Sequence, residues 1–145
     1  MKLCFFGSRN LYNDFCKQII IKEIEILKPD FIITSGDANG ICKLAIDTAK
    51  QLPIPVELHF LNNAKYAAGM YEHRSKHILQ RTDFIIFIHD GKSQGTKNEI
   101  KIADKMNIKY KYYEIGMTNL NNNEFYFVNK YFESGDNYAN IWFIL

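Results

Sequence analysis

Three short stretches concentrate the residues able to hold an anion. They read GSRN (7–10), SGDANG (35–40) and HDGKSQG (89–95), and each follows a short apolar run. Glycine lets a backbone approach a ligand closely and adopt positive φ. Gly7, Gly36, Gly40 and Gly95 supply that freedom here. Ser8, Ser35, Ser93 and Thr96 offer hydroxyls, and Arg9 offers a planar fork that pairs bidentately with an anion. Thr96 opens a helical run, and the main-chain N–H groups of a helix start attract phosphate. Thr96 and Glu99 have the spacing of a capping box, with Thr96 as N-cap and Glu99 three residues on. Glu99 is therefore either a capping partner or a carboxylate free for chemistry. No GxxxxGK[ST] and no GxGxxG is present, so neither a Walker loop nor the usual dinucleotide fingerprint is indicated.

The runs before these loops are KLCFF (2–6), FIIT (31–34) and FIIFI (84–88). Continuous apolar runs of that length read as strands buried on both faces. VELHF (56–60) and IKYKYY (108–113) alternate instead, which suits sheet edges with one wet face. Helical spacing of apolar residues appears over 14–27, 41–51, 68–80 and 96–106, and Pro29 closes the first of these. Strands and helices thus alternate five times. The expected fold class is α/β, a Rossmann-like parallel sheet in strand order 3-2-1-4-5 with helices on both faces. In such a sheet ligands bind beyond the carboxyl ends of the strands, where the order reverses. The three polar loops fall at that edge. The helix before the fourth strand carries Arg74 toward the same edge.

The segment from 116 to 145 breaks the alternation. GMTNLNNNEF reads as a turn-rich linker, and EFYFVNKYF and ANIWFIL as a helix and a terminal strand covering one sheet edge. The chain accordingly divides into a ligand-binding domain over 1–115 and a C-terminal aromatic appendage over 116–145. The appendage packs on the domain or forms an oligomer interface.

The bulk of the chain narrows the function classes. Its 145 residues fit one ordinary domain, and 47% hydrophobic content supports a real core. Eighteen basic against 16 acidic residues give a net charge of +2, too even for a nucleic-acid binder. Three cysteines without a CxxC indicate neither a disulfide framework nor a zinc ribbon. No signal-peptide pattern and no membrane-length apolar run is found, so a cytoplasmic protein is expected. His73 and His77 share a helix face at metal-ligand spacing, yet no third ligand accompanies them, and no metal is assigned. His59 and His89 read as surface residues near strand ends. Tyr66 and Tyr71 flank the expected site, where each can stack on a base or pack at the rim.

GSR after the first strand, SGDANGICKLA after the second, KYAAGMYEHRS before the fourth and DGKSQGT after it resemble the SLOG superfamily. This is a group of Rossmann-like domains related to lonely-guy phosphoribohydrolases and to the DNA-processing protein of natural transformation. The resemblance is greatest to small stand-alone members with GSR, GxAxG, AGxxR and SxGT motifs, and it runs from about Lys2 to Lys111. It implies a nucleotide or nucleotide-derived ligand, ADP-ribose-like or a cyclic signalling nucleotide, with no cofactor. On that basis Gly95, Thr96 and the helix start hold a phosphate, Arg9, Lys65 and Arg74 supply charge, and Asp37, Asn39 and Asp90 read ribose hydroxyls. Two readings follow. In one the protein binds the ligand as a sensor or sequestering domain. In the other it is an N-glycosidic hydrolase of nucleoside monophosphates. Glu99 then stabilises an oxocarbenium-like sugar or activates water, and Arg74 orients the phosphate. Cys42 and Ser75 stand where the superfamily carries aspartate and asparagine, and the PGG element of the hydrolases is absent, which favours binding. Single-stranded DNA binding is the weakest reading. Self-association into a homo-oligomer is expected.

Overall fold

The computed structural model describes residues 1–61 and 69–135. The elements are β1 (Lys2–Gly7), α1 (Asp14–Leu27), β2 (Phe31–Ser35), α2 (Ile41–Gln51), β3 (Val56–His59), α3 (Met70–Gln80), β4 (Phe84–His89), α4 (Gln94–Lys105), β5 (Lys109–Leu120) and β6 (Asn123–Glu133). They build one six-stranded sheet in the order β3-β2-β1-β4-β5-β6. The first five strands are parallel and follow the expected order, and β6 runs antiparallel to β5.

Side chains alternate across the sheet because strand residues point to opposite faces in turn. Leu3 and Phe5 of β1 join a core with Ile20, Ile24, Leu44 and Ala45 of α1 and α2. Cys4 and Phe6 join a second core with Ile78, Leu79 and Ala103 of α3 and α4. Each central strand therefore needs apolar residues at consecutive positions, which is why β1, β2 and β4 read as unbroken runs. Asn13 caps α1 by accepting a hydrogen bond from the Cys16 N–H at 2.8 Å. Lys28 ends that helix in the left-handed region at φ 47°, ahead of Pro29.

The C-terminal part differs from the expected helix and terminal strand. β5 runs on past residue 115, so the expected domain boundary falls inside a strand, and β6 returns along it as a hairpin. Asn121 and Asn122 form the two-residue loop at φ 52° and 65°. A tight hairpin turn demands positive φ at both central residues, and asparagine tolerates it. EFYFVNKYF is aromatic and β-branched, and pairing partners on β5 fix it as a strand. Tyr112 stacks on Phe132 and Tyr113 meets Tyr131, with ring centroids 4.8 and 4.9 Å apart. Residues 136–145, including the expected ANIWFIL segment, lie outside the described residues.

Candidate functional site

The loops after β1 and β4 are fastened to each other. Ser8, buried at the end of β1, accepts the backbone N–H of Asp90 on its hydroxyl at 2.9 Å. Its own N–H donates to the Ile88 carbonyl at 3.1 Å. A side chain at Gly7 would lie 2.1 Å from the Ile88 oxygen and 2.5 Å from Ile41, so only glycine permits this approach. Gly40, at φ 71°, passes equally close to the Ser8 carbonyl.

Asp90 organises the second loop. Its carboxylate accepts the N–H groups of Lys92 and Ser93, both at 2.8 Å, and the Ser93 hydroxyl at 3.1 Å. Burial opposes the charge. The N–H groups of Ser93 and Lys92 and the nearby hydroxyls outweigh it and hold the carboxyl down at about 2. The turn starts α4 at Gln94, two residues before the expected start. Thr96 is thus the third helical residue rather than the N-cap, and Ser93 occupies the N-cap position without a side-chain cap bond. The expected capping box does not form. The first-turn N–H groups of Gln94, Gly95 and Thr96 have no acceptor within the helix. Among the described residues, and apart from its chain neighbours and its own helix backbone, no atom lies within 4 Å of where a Gly95 side chain would begin.

Glu99 sits on the second turn of α4, where Ser75 of α3 donates its hydroxyl to Oε2 at 3.2 Å. Burial pushes the Glu99 carboxyl up to about 8, against the opposing pull of the Ser75 hydroxyl and of Arg74 and Arg9. Cys42, at the start of α2, is raised to about 11 by burial and by the neighbouring Glu99. Neither carboxylate nor thiolate is the main form at neutral pH.

Arg74 of α3 is 8% exposed. Its Nη1 donates to Asp37 Oδ1, and Asp37 is held in turn by the Ser35 hydroxyl at 2.9 Å and the Leu61 N–H at 2.7 Å. Burial raises the Asp37 carboxyl, but these hydrogen bonds and Arg74 bring it below its ordinary value. The buried Arg74 Nε has no hydrogen-bond partner among the described residues. Tyr71 lies under both guanidinium groups, with Arg9 Cζ at 5.2 Å and Arg74 Cζ at 5.5 Å from its ring centre. The aromatic face holds two like charges close together, which concentrates positive potential.

These groups surround a cavity of about 820 Å³. Of the expected site residues, Gly7, Arg9, Arg74, Asp90, Ser93, Gly95, Thr96 and Glu99 line it. Ser8, Ser35, Gly36, Asp37, Asn39 and Gly40 do not line it. Ser8 and Gly40 shape the loops, Gly36 packs beneath the Phe60 ring, and Asn39 is exposed. Asp37 accepts from Arg74, Ser35 and the Leu61 N–H, and Asp90 from the N–H groups of Lys92 and Ser93, so each also positions the groups around the cavity. Lys65 and Tyr66 lie outside the described residues.

Ser75 and His89 take roles around the site that the sequence did not indicate. Ser75 reaches Glu99 across the gap between two helices, a pairing that no sequence spacing reveals. His89 is 2% exposed rather than on the surface. Its Nε2 meets the Ser93 carbonyl at 2.9 Å and its Nδ1 the Tyr112 hydroxyl at 2.8 Å. It braces the start of α4 from below. Among the described residues no cluster of three or more His, Cys, Asp or Glu suited to a metal ion is found, and no helix is long and apolar enough to cross a membrane.

Comparison with known proteins gives no match, either to a protein-family model or to a curated sequence.

Proposed function

We propose that this protein binds a nucleotide or nucleotide-derived small molecule at the carboxyl ends of β1 and β4, as a sensor or sequestering protein of the SLOG type with a Rossmann-like core. The observation that carries this reading is Arg74. A nine-tenths buried guanidinium, anchored by Asp37 and with its Nε unpartnered among the described residues, lines a cavity that also receives Arg9 and the first turn of α4. An anion answers all three features, because it pairs the guanidinium and accepts from the helix N–H groups. The cavity lies within the 300–1,000 Å³ usual for small-molecule sites. Three unpaired, buried cysteines accord with cytoplasmic residence. Exposed Met117, Leu120 and Phe125 on the hairpin offer apolar surface for self-association.

A second reading, N-glycosidic hydrolysis of a nucleoside monophosphate, draws on Glu99. There the bond from base to ribose C1′ breaks, water adds to C1′, and free base and ribose 5-phosphate result. Base release would then rise with pH as Glu99 ionises near 8. Binding stands first because a largely protonated carboxyl neither stabilises an oxocarbenium ion nor activates water well at neutral pH.

Titration calorimetry with AMP and ADP-ribose, coupled to chromatography of free base, tests both. Intact ligand retained at one per protein, with affinity falling at least tenfold in Arg74→Ala, is the expected result. Unchanged affinity in that variant would refute the site. Base release that vanishes in Glu99→Gln would replace the binding reading by the hydrolase.

A further inference from the structure

The cavity does not end at the strand edge. Its lining continues along α4 through Asn98 and Ile102 to Lys101 and Lys105. At 1.5 Å per residue these two lysines stand roughly 9 and 15 Å along the helix axis from Gly95. One phosphate at the helix start fills only the near end, where Arg9 and Arg74 converge. Between the two ends α4 contributes Asn98, Ile102 and Glu99, whose carboxyl burial pushes up to about 8.

The far end carries its own charge. Lys101 makes no ion pair among the described residues. Glu72 of α3 also lines the cavity, but Lys76 already holds it at 3.0 Å. Its carboxyl lies below its ordinary value because of Lys76 first, with Lys105 contributing. Lys101 and Lys105 line the groove, and the one glutamate beside them is already paired with Lys76, so the outer groove is net positive. Such a groove is suited to an anionic group beyond the one at the helix start.

Resting on the nucleotide-binding reading, we propose that the ligand bears a second, separated anionic group held by Lys101 and Lys105. The ligand class is then a nucleotide derivative phosphorylated at two distant positions, rather than a nucleoside monophosphate. The lysine stems are long, so phosphates roughly 6–12 Å apart fit between the two ends.

ADP-ribose and ADP-ribose 2′-phosphate differ by one phosphate and provide the test. Calorimetry at one fixed ionic strength should show the 2′-phosphate compound binding about tenfold tighter to the native protein. In Lys101→Gln/Lys105→Gln that advantage should vanish while affinity for ADP-ribose stays within twofold. Lys22→Gln/Lys50→Gln, on α1 and α2 across the sheet, removes equal net charge and should leave the advantage intact. Equal affinity of the native protein for both compounds overturns the proposal, and so does an advantage that survives in the Lys101/Lys105 variant or disappears in the Lys22/Lys50 variant. If ADP-ribose binds in an Arg74-dependent way under any of those outcomes, the underlying reading still stands. If neither compound binds, or Arg74→Ala changes nothing, both fall together.

Discussion

Glu99 is the residue on which the chemistry turns, and its environment makes a stability prediction independent of any ligand. Its carboxyl titrates near 8 in the folded protein and near 4.3 in an unfolded chain. Between those values the native state keeps a proton that the unfolded state has released. Stability therefore falls as pH rises from about 4 to about 8, and levels off above. Full conversion of the shift would give about 5 kcal/mol. The carboxyl borders an open cavity and is partly screened, so about 2 kcal/mol is expected. Glu99→Gln removes the ionisation and keeps the shape. Urea unfolding should find it about 2 kcal/mol more stable than the native protein at pH 8.5 and equal at pH 4.5. A variant that gains nothing at high pH would show that Glu99 is well solvated. At this scale the sequence was informative in part. Arg9, Gly95, Thr96 and Glu99 lie in loops or at a helix start, where motif and strand end together mark the position. The Asp37–Arg74 and Ser75–Glu99 pairs join residues 37 and 24 positions apart. They depend on how α3 sits over the sheet, which no local pattern encodes.

Among the elements, the β5–β6 hairpin departs furthest from expectation. Three consecutive asparagines after GMTNL read as a linker because asparagine favours turns. The same preference makes Asn121 and Asn122 a two-residue loop once the flanking runs pair. Strand pairing is decided by the partner strand, so an aromatic run such as EFYFVNKYF is ambiguous until β5 is beside it. Left-handed geometry at Asn122 should be costly for a β-branched residue. Asn122→Val is expected to lower stability by about 1–2 kcal/mol, and Asn122→Gly to lower it by less than about 0.5 kcal/mol. Thermal unfolding of the two variants checks this. Equal losses would mean that the loop does not hold the hairpin. The hairpin also reaches the site. Asn129 Nδ2 donates to Glu114 at 2.7 Å, the Tyr112 hydroxyl lies 3.1 Å from the same carboxylate, and Tyr112 meets His89 beneath the start of α4. Glu114 also packs beside Gly91, 3.1 Å from where a side chain would begin. The loop that borders the cavity is thus seated on a strand pair of which the sequence showed only the first part of β5.

For the molecule as a whole, the order of the five parallel strands was legible because burial on both faces leaves an unmistakable imprint in β1, β2 and β4. Order and polarity then bring the three polar loops to one edge. The sixth strand was not legible, and it changes which strand forms the boundary of the sheet. β5 alternates like an edge but lies inside, with Tyr110, Tyr112 and Tyr113 buried. Among the described residues β6 is the outermost strand, eleven residues long and rich in aromatics. Its pairing with β5 shifts register between Glu114 and Ile115, where Asn129 is the extra residue between Val128 and Lys130. Such a bulge twists the strand, and a lysine beside it discourages strand addition. The irregularity therefore bears on solubility. Deleting Asn129 straightens the margin without moving the flanking side chains to the opposite face, and leaves a flat aromatic template. Light scattering at neutral pH should then rise with time and concentration, while the native protein stays clear. One asparagine that touches no ligand would thus decide whether the protein remains dispersed at high concentration.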